Sequence, residues 1–177
     1  MSAEEIVEKA ELFKGVVKMK YYGKYRGQVV DNKDPNQQGR IKAKVSSVLG
    51  GGETGWAIPC VPYAGNHVGF FFVLPIGANV WIEFEEGDPE RPIWSGGFWG
   101  SAEVPKGAND PQVKMIKTDQ VTFTFNDYPQ QDGIVIENAS GLKIIMTPQE
   151  IELVNGSSKI KITAAQVSVN NGALEVL

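Results

Sequence analysis

The chain has 177 residues, a net charge of −4 at pH 7, one cysteine and one histidine. That length suits one or two small domains, and without a long basic or acidic run the surface has no general attraction to nucleic acid or anionic lipid. A single cysteine excludes an intrachain disulfide framework, and no apolar run approaches the ~18 residues a membrane-spanning helix needs.

Residues 3–14 are the one predicted helix, because Ile6, Val7, Ala10 and Phe13 recur at helical spacing. Ser2 can cap its start, with Glu5 three residues on. The opening Met1-Ser2-Ala3-Glu4-Glu5 is acidic and lacks a signal-peptide core, so the protein is expected to start in a cytoplasm. From residue 23 apolar and polar residues alternate. Tyr25, Gly27 and Val29 share one face, Ile41, Ala43 and Val45 repeat the pattern, and Val80, Ile82 and Phe84 repeat it again. Period-two alternation broken by Gly, Pro, Asn and Asp marks short, half-buried antiparallel strands. Five are predicted, over residues 25–31, 40–46, 56–61, 79–85 and 93–99. Five strands over so short a span suit a small closed barrel, since closure removes exposed edges.

Between these strands, Val48 to Gly55 is glycine-rich but lacks the Gly-Lys-Ser/Thr ending of a phosphate cradle. Cys60, in Ile58-Pro59-Cys60-Val61, reads as a small buried thiol. Phe70-Phe71-Phe72 must alternate faces, so at least one ring points away from the barrel's own core. Those rings form either a satellite packing cluster or a contact with a neighbouring subunit. Residues 100–111 carry the breakers of a domain boundary. Two strands follow, Val113 to Lys117 and Val121 to Phe125, joined by a Thr118-Asp119-Gln120 turn.

From Gly133 the sequence becomes a quasi-repeat of short strands, a pattern that suggests a β-prism or solenoid. One face reads Ile134, Ile136, Leu142, Ile144, Met146, Ile151, Leu153, Ile160, Ile162, Val167, Val169, Leu174 and Val176, while the other is largely Glu, Lys, Gln and Ser. The tail has no helix, and a single narrow ribbon has no second layer, so the face is expected to meet other chains, with a long two-layer β-sandwich as the alternative. Val154-Asn155-Gly156-Ser157 could form a type I′ hairpin turn, setting Glu152 opposite Lys159 and Glu150 opposite Lys161. A wider loop, or winding to a neighbouring chain, keeps the same inward residues.

The order Tyr25-Arg26-Gly27, Asp31-Asn32, Asp34-Pro35, Gly39-Arg40, Gly55-Trp56-Ala57, Pro75 to Gly77, Val80-Trp81-Ile82-Glu83-Phe84-Glu85, Gly87-Asp88-Pro89, Pro92-Ile93-Trp94 and Gly96-Gly97 resembles one family. It is similar to the OB-fold domain of contractile-tail spikes, the phage baseplate assembly protein V family and the related Vgr spikes. The resemblance implies an all-β chain: a short helix and a five-stranded OB-fold barrel, then a C-terminal trimeric intertwined β-helix, a β-prism needle. The domains then fall at residues 1–22 for an N-terminal arm, 23–100 for the OB fold, 101–131 for a linker with transition strands, and 132–177 for the spike. The helix packs on the barrel's own side or docks on a baseplate hub protein. The implied partners are two further copies, forming a homotrimer, and that hub. The implied place is a virion tail baseplate or injection particle assembled in the cytoplasm. Some phage spikes of this kind end in a His-x-His iron site, but this chain runs Asn170-Asn171-Gly172-Ala173-Leu174-Glu175-Val176-Leu177 without histidine. No cofactor or metal is expected. Leu174, Val176 and Leu177 would instead rim a blunt platform, capped by a tip protein resembling the conical PAAR-repeat proteins.

Catalytic chemistry is not expected. His67 stands in a Gly-rich loop with no second histidine or cysteine cluster around it. Glu83 and Glu85 alternate on a strand, yet no cleft-forming domain lies beside them, as a glycosidase pair would need. The short connection over residues 100–132 cannot hold the lysozyme domain some relatives insert there. The alternative function is an OB-fold module binding single-stranded nucleic acid or oligosaccharide, with Tyr21, Tyr22, Lys24, Tyr25 and Arg26 as its stacking face.

Overall fold

The computed structural model describes residues 19–129, 131 and 133–176. The helix expected over residues 3–14 and the terminal Leu177 lie outside the described residues. The chain divides into two compact units, Met1–Gly100 and Ser101–Leu177.

In the first unit the strands are β1 (Tyr25–Asp31), β2 (Lys42–Lys44), β3 (Ile58–Pro59), β4 (Ala64–Gly65), β5 (Val68–Gly69), β6 (Asn79–Phe84) and β7 (Pro92–Gly97). Five of them form one sheet in the order β2-β1-β6-β7-β3. Bridges Ile41↔Ala57 and Lys44↔Glu53 join its two ends, closing the barrel. One pairing differs from the antiparallel expectation. The two-residue β3 runs parallel to β7, with Ile58 beside Ile93 and Pro59 beside Trp94. Pro59 and Pro62 have no N–H to donate, which keeps β3 short. Ser46–Leu49 turns as a single helical turn at the end of the second predicted strand.

The alternation predicted from sequence supplies the core: Val29, Ile41, Ala43, Val45, Ala57, Val80, Ile82, Phe84 and Trp94 are all buried. Gly27 serves a close approach. A Cβ there would meet Ile82 Cγ1 at 3.2 Å and the Lys44 carbonyl oxygen at 3.3 Å. Cys60 is exposed, contrary to the buried thiol expected. Its N–H donates to the Trp94 carbonyl at 2.8 Å, and Ala57, Pro59 and Val61 turn inward while Ile58 and Cys60 turn out.

One polar device fixes the loop between β1 and β2. The Asp34 carboxylate, only 4% exposed, accepts the Nε and Nη2 protons of Arg40 at 3.0 and 2.6 Å. It also accepts the N–H groups of Asn36 at 3.0 Å and Gln38 at 2.8 Å. The Arg40 guanidinium, with these backbone donors, holds the Asp34 carboxyl far below its ordinary range. A depressed folded value adds stability above the unfolded pKa of about 3.9, and that contribution fades as pH falls towards the folded value. Asp34→Asn is therefore expected to lower the melting temperature at neutral pH and to flatten its decline below about pH 4. Parallel acid curves for variant and wild type would contradict this role.

The second unit is a single antiparallel meander whose strands pair in chain order: β8 (Val113–Lys117), β9 (Val121–Asn126), β10 (Ile134–Asn138), β11 (Lys143–Met146), β12 (Glu150–Asn155), β13 (Ser158–Thr163), β14 (Val167–Val169) and β15 (Leu174–Val176). A repeated local motif cuts the strands to length. Thr118 Oγ1 accepts the Val121 N–H at 3.1 Å, Thr147 Oγ1 the Glu150 N–H at 3.1 Å, and Thr163 Oγ1 the Gln166 N–H at 3.2 Å. Each hydroxyl satisfies corner amides that the ladder leaves over. The β12–β13 hairpin turns on Gly156-Ser157, with Asn155 opposite Ser158, rather than on Asn155-Gly156. Glu152 therefore stands opposite Lys161, and Glu150 opposite Thr163.

Candidate functional site

The register of the meander places its aliphatic residues in two continuous cross-strand rows on one face. One row runs Phe125, Ile134, Met146, Ile151, Ile162, Val167 and Val176. The other runs Ile116, Phe123, Ile136, Ile144, Leu153, Ile160, Val169 and Leu174. Leu142 precedes β11 in the same parity and is exposed. The shift of the β12–β13 hairpin from its expected register moves partners by two residues, and a period-two strand keeps its faces under such a shift.

Sequence reasoning missed three members of these rows: Ile116, Phe123 and Phe125. The Phe123 and Phe125 rings pack with centroids 4.5 Å apart. The alternation Phe123-Thr124-Phe125 carried the signal, but the expected site began only at Ile134.

The opposite face is held by ion pairs: Lys143–Glu137 at 2.9 Å, Lys161–Glu150 at 2.8 Å, Lys161–Glu152 at 3.0 Å and Lys159–Glu152 at 3.4 Å. The Lys161 ammonium holds the Glu152 carboxyl below its ordinary range. The two faces differ in cover. Ser168 is buried on the polar side, whereas Ile144, Met146, Ile151, Leu153, Ile160 and Ile162 each remain 37–42% exposed. Contiguous apolar rows this open are uncommon on the surface of a lone domain. At the chain's end Leu174 and Val176 are 60% exposed.

The leads for other chemistry are dispersed or already engaged. His67 stands at φ 60° in an exposed hairpin loop. Glu83 bonds Lys24 and, at 3.2 Å, the Ser95 hydroxyl, and the Lys24 ammonium holds its carboxyl below the ordinary range. Glu85 begins a 3-10 turn, Glu85–Gly87, instead of sharing the strand face with Glu83, and it pairs with Arg91 at 2.6 Å. Among the described residues no group of three His, Cys, Asp or Glu side chains could hold a metal ion. The rings expected to stack on bases or sugars are divided. Tyr21 and Tyr25 pack on Phe84 at 6.2 and 5.6 Å, and the Arg26 guanidinium lies over Trp81 and Phe98 at 5.7 and 5.4 Å.

A closed OB-like barrel followed by a one-layer sheet with an open apolar face defines a class of two-unit, all-β chain whose second unit has a surface free for association. Two family models match accordingly. Residues 25–99 match the type VI secretion system/phage-baseplate injector OB domain, and residues 112–175 match the phage baseplate V C-terminal trimerisation domain. The chain belongs to the baseplate protein V family. It is thus a structural component of a phage baseplate or a related injection apparatus, and its trimerisation domain supports a homotrimer. No curated protein matches the chain.

Proposed function

We propose that three copies wind their meanders about one axis, with the two aliphatic rows facing inward, to form the central spike of a contractile injection apparatus. The single observation carrying this reading is the pair of unbroken apolar rows with nothing among the described residues of their own unit over them. In the assembled spike, Ile134, Ile136, Leu142, Ile144, Met146, Ile151, Leu153, Ile160, Ile162, Val167, Val169, Leu174 and Val176 line the axis. Residues 101–131 supply the linker and the transition strands β8 and β9 with which the spike begins, residues 132–177 continue it, and the OB domain of residues 23–100 plugs the hub. Assembly takes place in the cytoplasm and nucleates the baseplate. The task is mechanical and involves no catalytic step: sheath contraction supplies the force, and the spike's stiffness carries it through the target envelope.

The exposed ends of three β15 strands would bind a separate conical tip protein of the PAAR-repeat kind, because open edges and apolar patches invite a covering chain. Deleting residues 173–177 is expected to abolish co-purification with that tip protein while light scattering still reports a trimer. Undiminished tip binding after the deletion would refute the tip contact, and intact particles carrying a bare end would refute the need for one.

A further inference from the structure

Between Glu53 and Glu83 the sequence contains no Asp, Glu, Lys or Arg, although 21% of the whole chain is charged. The centre of that stretch is the β4–β5 hairpin, which pairs Ala64 with Gly69 and Gly65 with Val68. It is a built element. Phe70 N–H donates to the Tyr63 carbonyl at 2.9 Å, and a Cβ on Gly69 would meet that same oxygen at 2.8 Å. The Tyr63 and Phe70 rings lie edge to face at 6.5 Å, and Phe70 and Phe72 are 6.3 Å apart. Yet the surface is open: Phe71 is 74% exposed, and Tyr63, Val68, Phe70 and Phe72 are all more than half exposed. Tyr63, Phe70 and Phe72 therefore pack on one another, Phe71 lies near Gly39, where a Cβ would meet its ring at 3.1 Å, and the outer side of the run is left uncovered.

We propose that this hairpin is a second contact surface between copies of the chain, holding the three OB domains to one another. Three observations favour a second copy over a different protein, a nucleic acid or a membrane. Interface cores are enriched in aromatics and depleted of charge, and permanent interfaces are the most apolar. A hairpin that carries no Asp, Glu, Lys or Arg of its own has little with which to steer or select a polyanion or an anionic bilayer. The trimerisation domain at residues 112–175 also tethers three OB domains through a connection that spans at most about 40 Å fully extended. Such tethering gives an effective concentration of about millimolar, so a patch too small to associate alone is covered as soon as the trimer forms.

The inference rests on the trimer, and the test separates the two. A nitroxide is placed at Lys44→Cys, an exposed site on β2 outside the hairpin, in a Cys60→Ser background of the full chain. Pulsed EPR then reads the distances between labels while light scattering reads the mass. The expected result is a trimer with one narrow distance peak, which Phe71→Asp or Val68→Lys broadens or abolishes without lowering the mass. A broad distribution in the reference trimer would overturn the inference and leave the hairpin to a different protein. A narrow peak that survives both substitutions would overturn it equally. A monomeric reference protein would remove the trimer itself, and the inference with it.

Discussion

Ile151→Asp or Ile160→Asp is expected to abolish trimer assembly, whereas Lys159→Gln is expected to leave it intact. Ile151 lies in the row between Met146 and Ile162, and Ile160 in the row between Leu153 and Val169. Around a threefold axis one substitution acts three times. Each side chain is 37% exposed in the single chain, so covering it on assembly is worth roughly a third of the ~1.5–3 kcal/mol of full burial, or about 1.5–3 kcal/mol over three copies. Three carboxylates brought together in a dry interface then repel, and each must protonate or stay unsolvated. Lys159 sits on the opposite face. Its partner Glu152 keeps Lys161 at 3.0 Å when Lys159 is lost, so no carboxylate is left without a cation, and the contact removed is the longer one, at 3.4 Å. Size-exclusion chromatography with light scattering distinguishes the variants. Equal tolerance of all three substitutions would place the association surface elsewhere.

Ile82→Ala is expected to destabilise the OB unit by about 2–5 kcal/mol, the usual cost of opening a cavity in a packed core. Ile82 is fully buried in the middle of β6, paired with Tyr25 on one side and Trp94 on the other. A small domain has only about 5–15 kcal/mol of stability, so a loss of this size removes a large share of it. Ile76→Ala is the matched control, since Ile76 is well exposed and surface truncations stay within about 0.5 kcal/mol. Urea unfolding followed through the buried Trp94 indole checks the pair. A midpoint for Ile82→Ala no lower than that of Ile76→Ala would contradict the barrel core as described.

Much of this architecture was legible because both units rest on period-two alternation. Val29, Ile41, Ala43, Val80, Ile82 and Phe84 declare the inner face of the barrel by spacing alone. The parallel β3–β7 pairing was not legible, because Ile58-Pro59 is too short to show a period. Cys60 was misread on the apolar character of its neighbours. The alternation of Ala57, Pro59 and Val61 inward would have placed it on the outer face. At the β12–β13 hairpin, Asn-Gly is the stronger local turn signal, yet the chain turns one residue later. There Gly156 takes φ 58°, and Lys161 reaches both Glu150 and Glu152. The corner threonines Thr118, Thr147 and Thr163 were visible as residues but not as a device, since their role appears only once the amides they receive are placed. Spacing showed that the rows are apolar and share one face, but an occupant of that face leaves no mark in the spacing.

The most direct test of the account is the molar mass of the purified full chain in solution. Multi-angle light scattering is expected to give three times the 19.3 kDa of one chain, unchanged on dilution through the micromolar range. A well-folded monomer at micromolar concentration, with its aliphatic rows open to water, would contradict it.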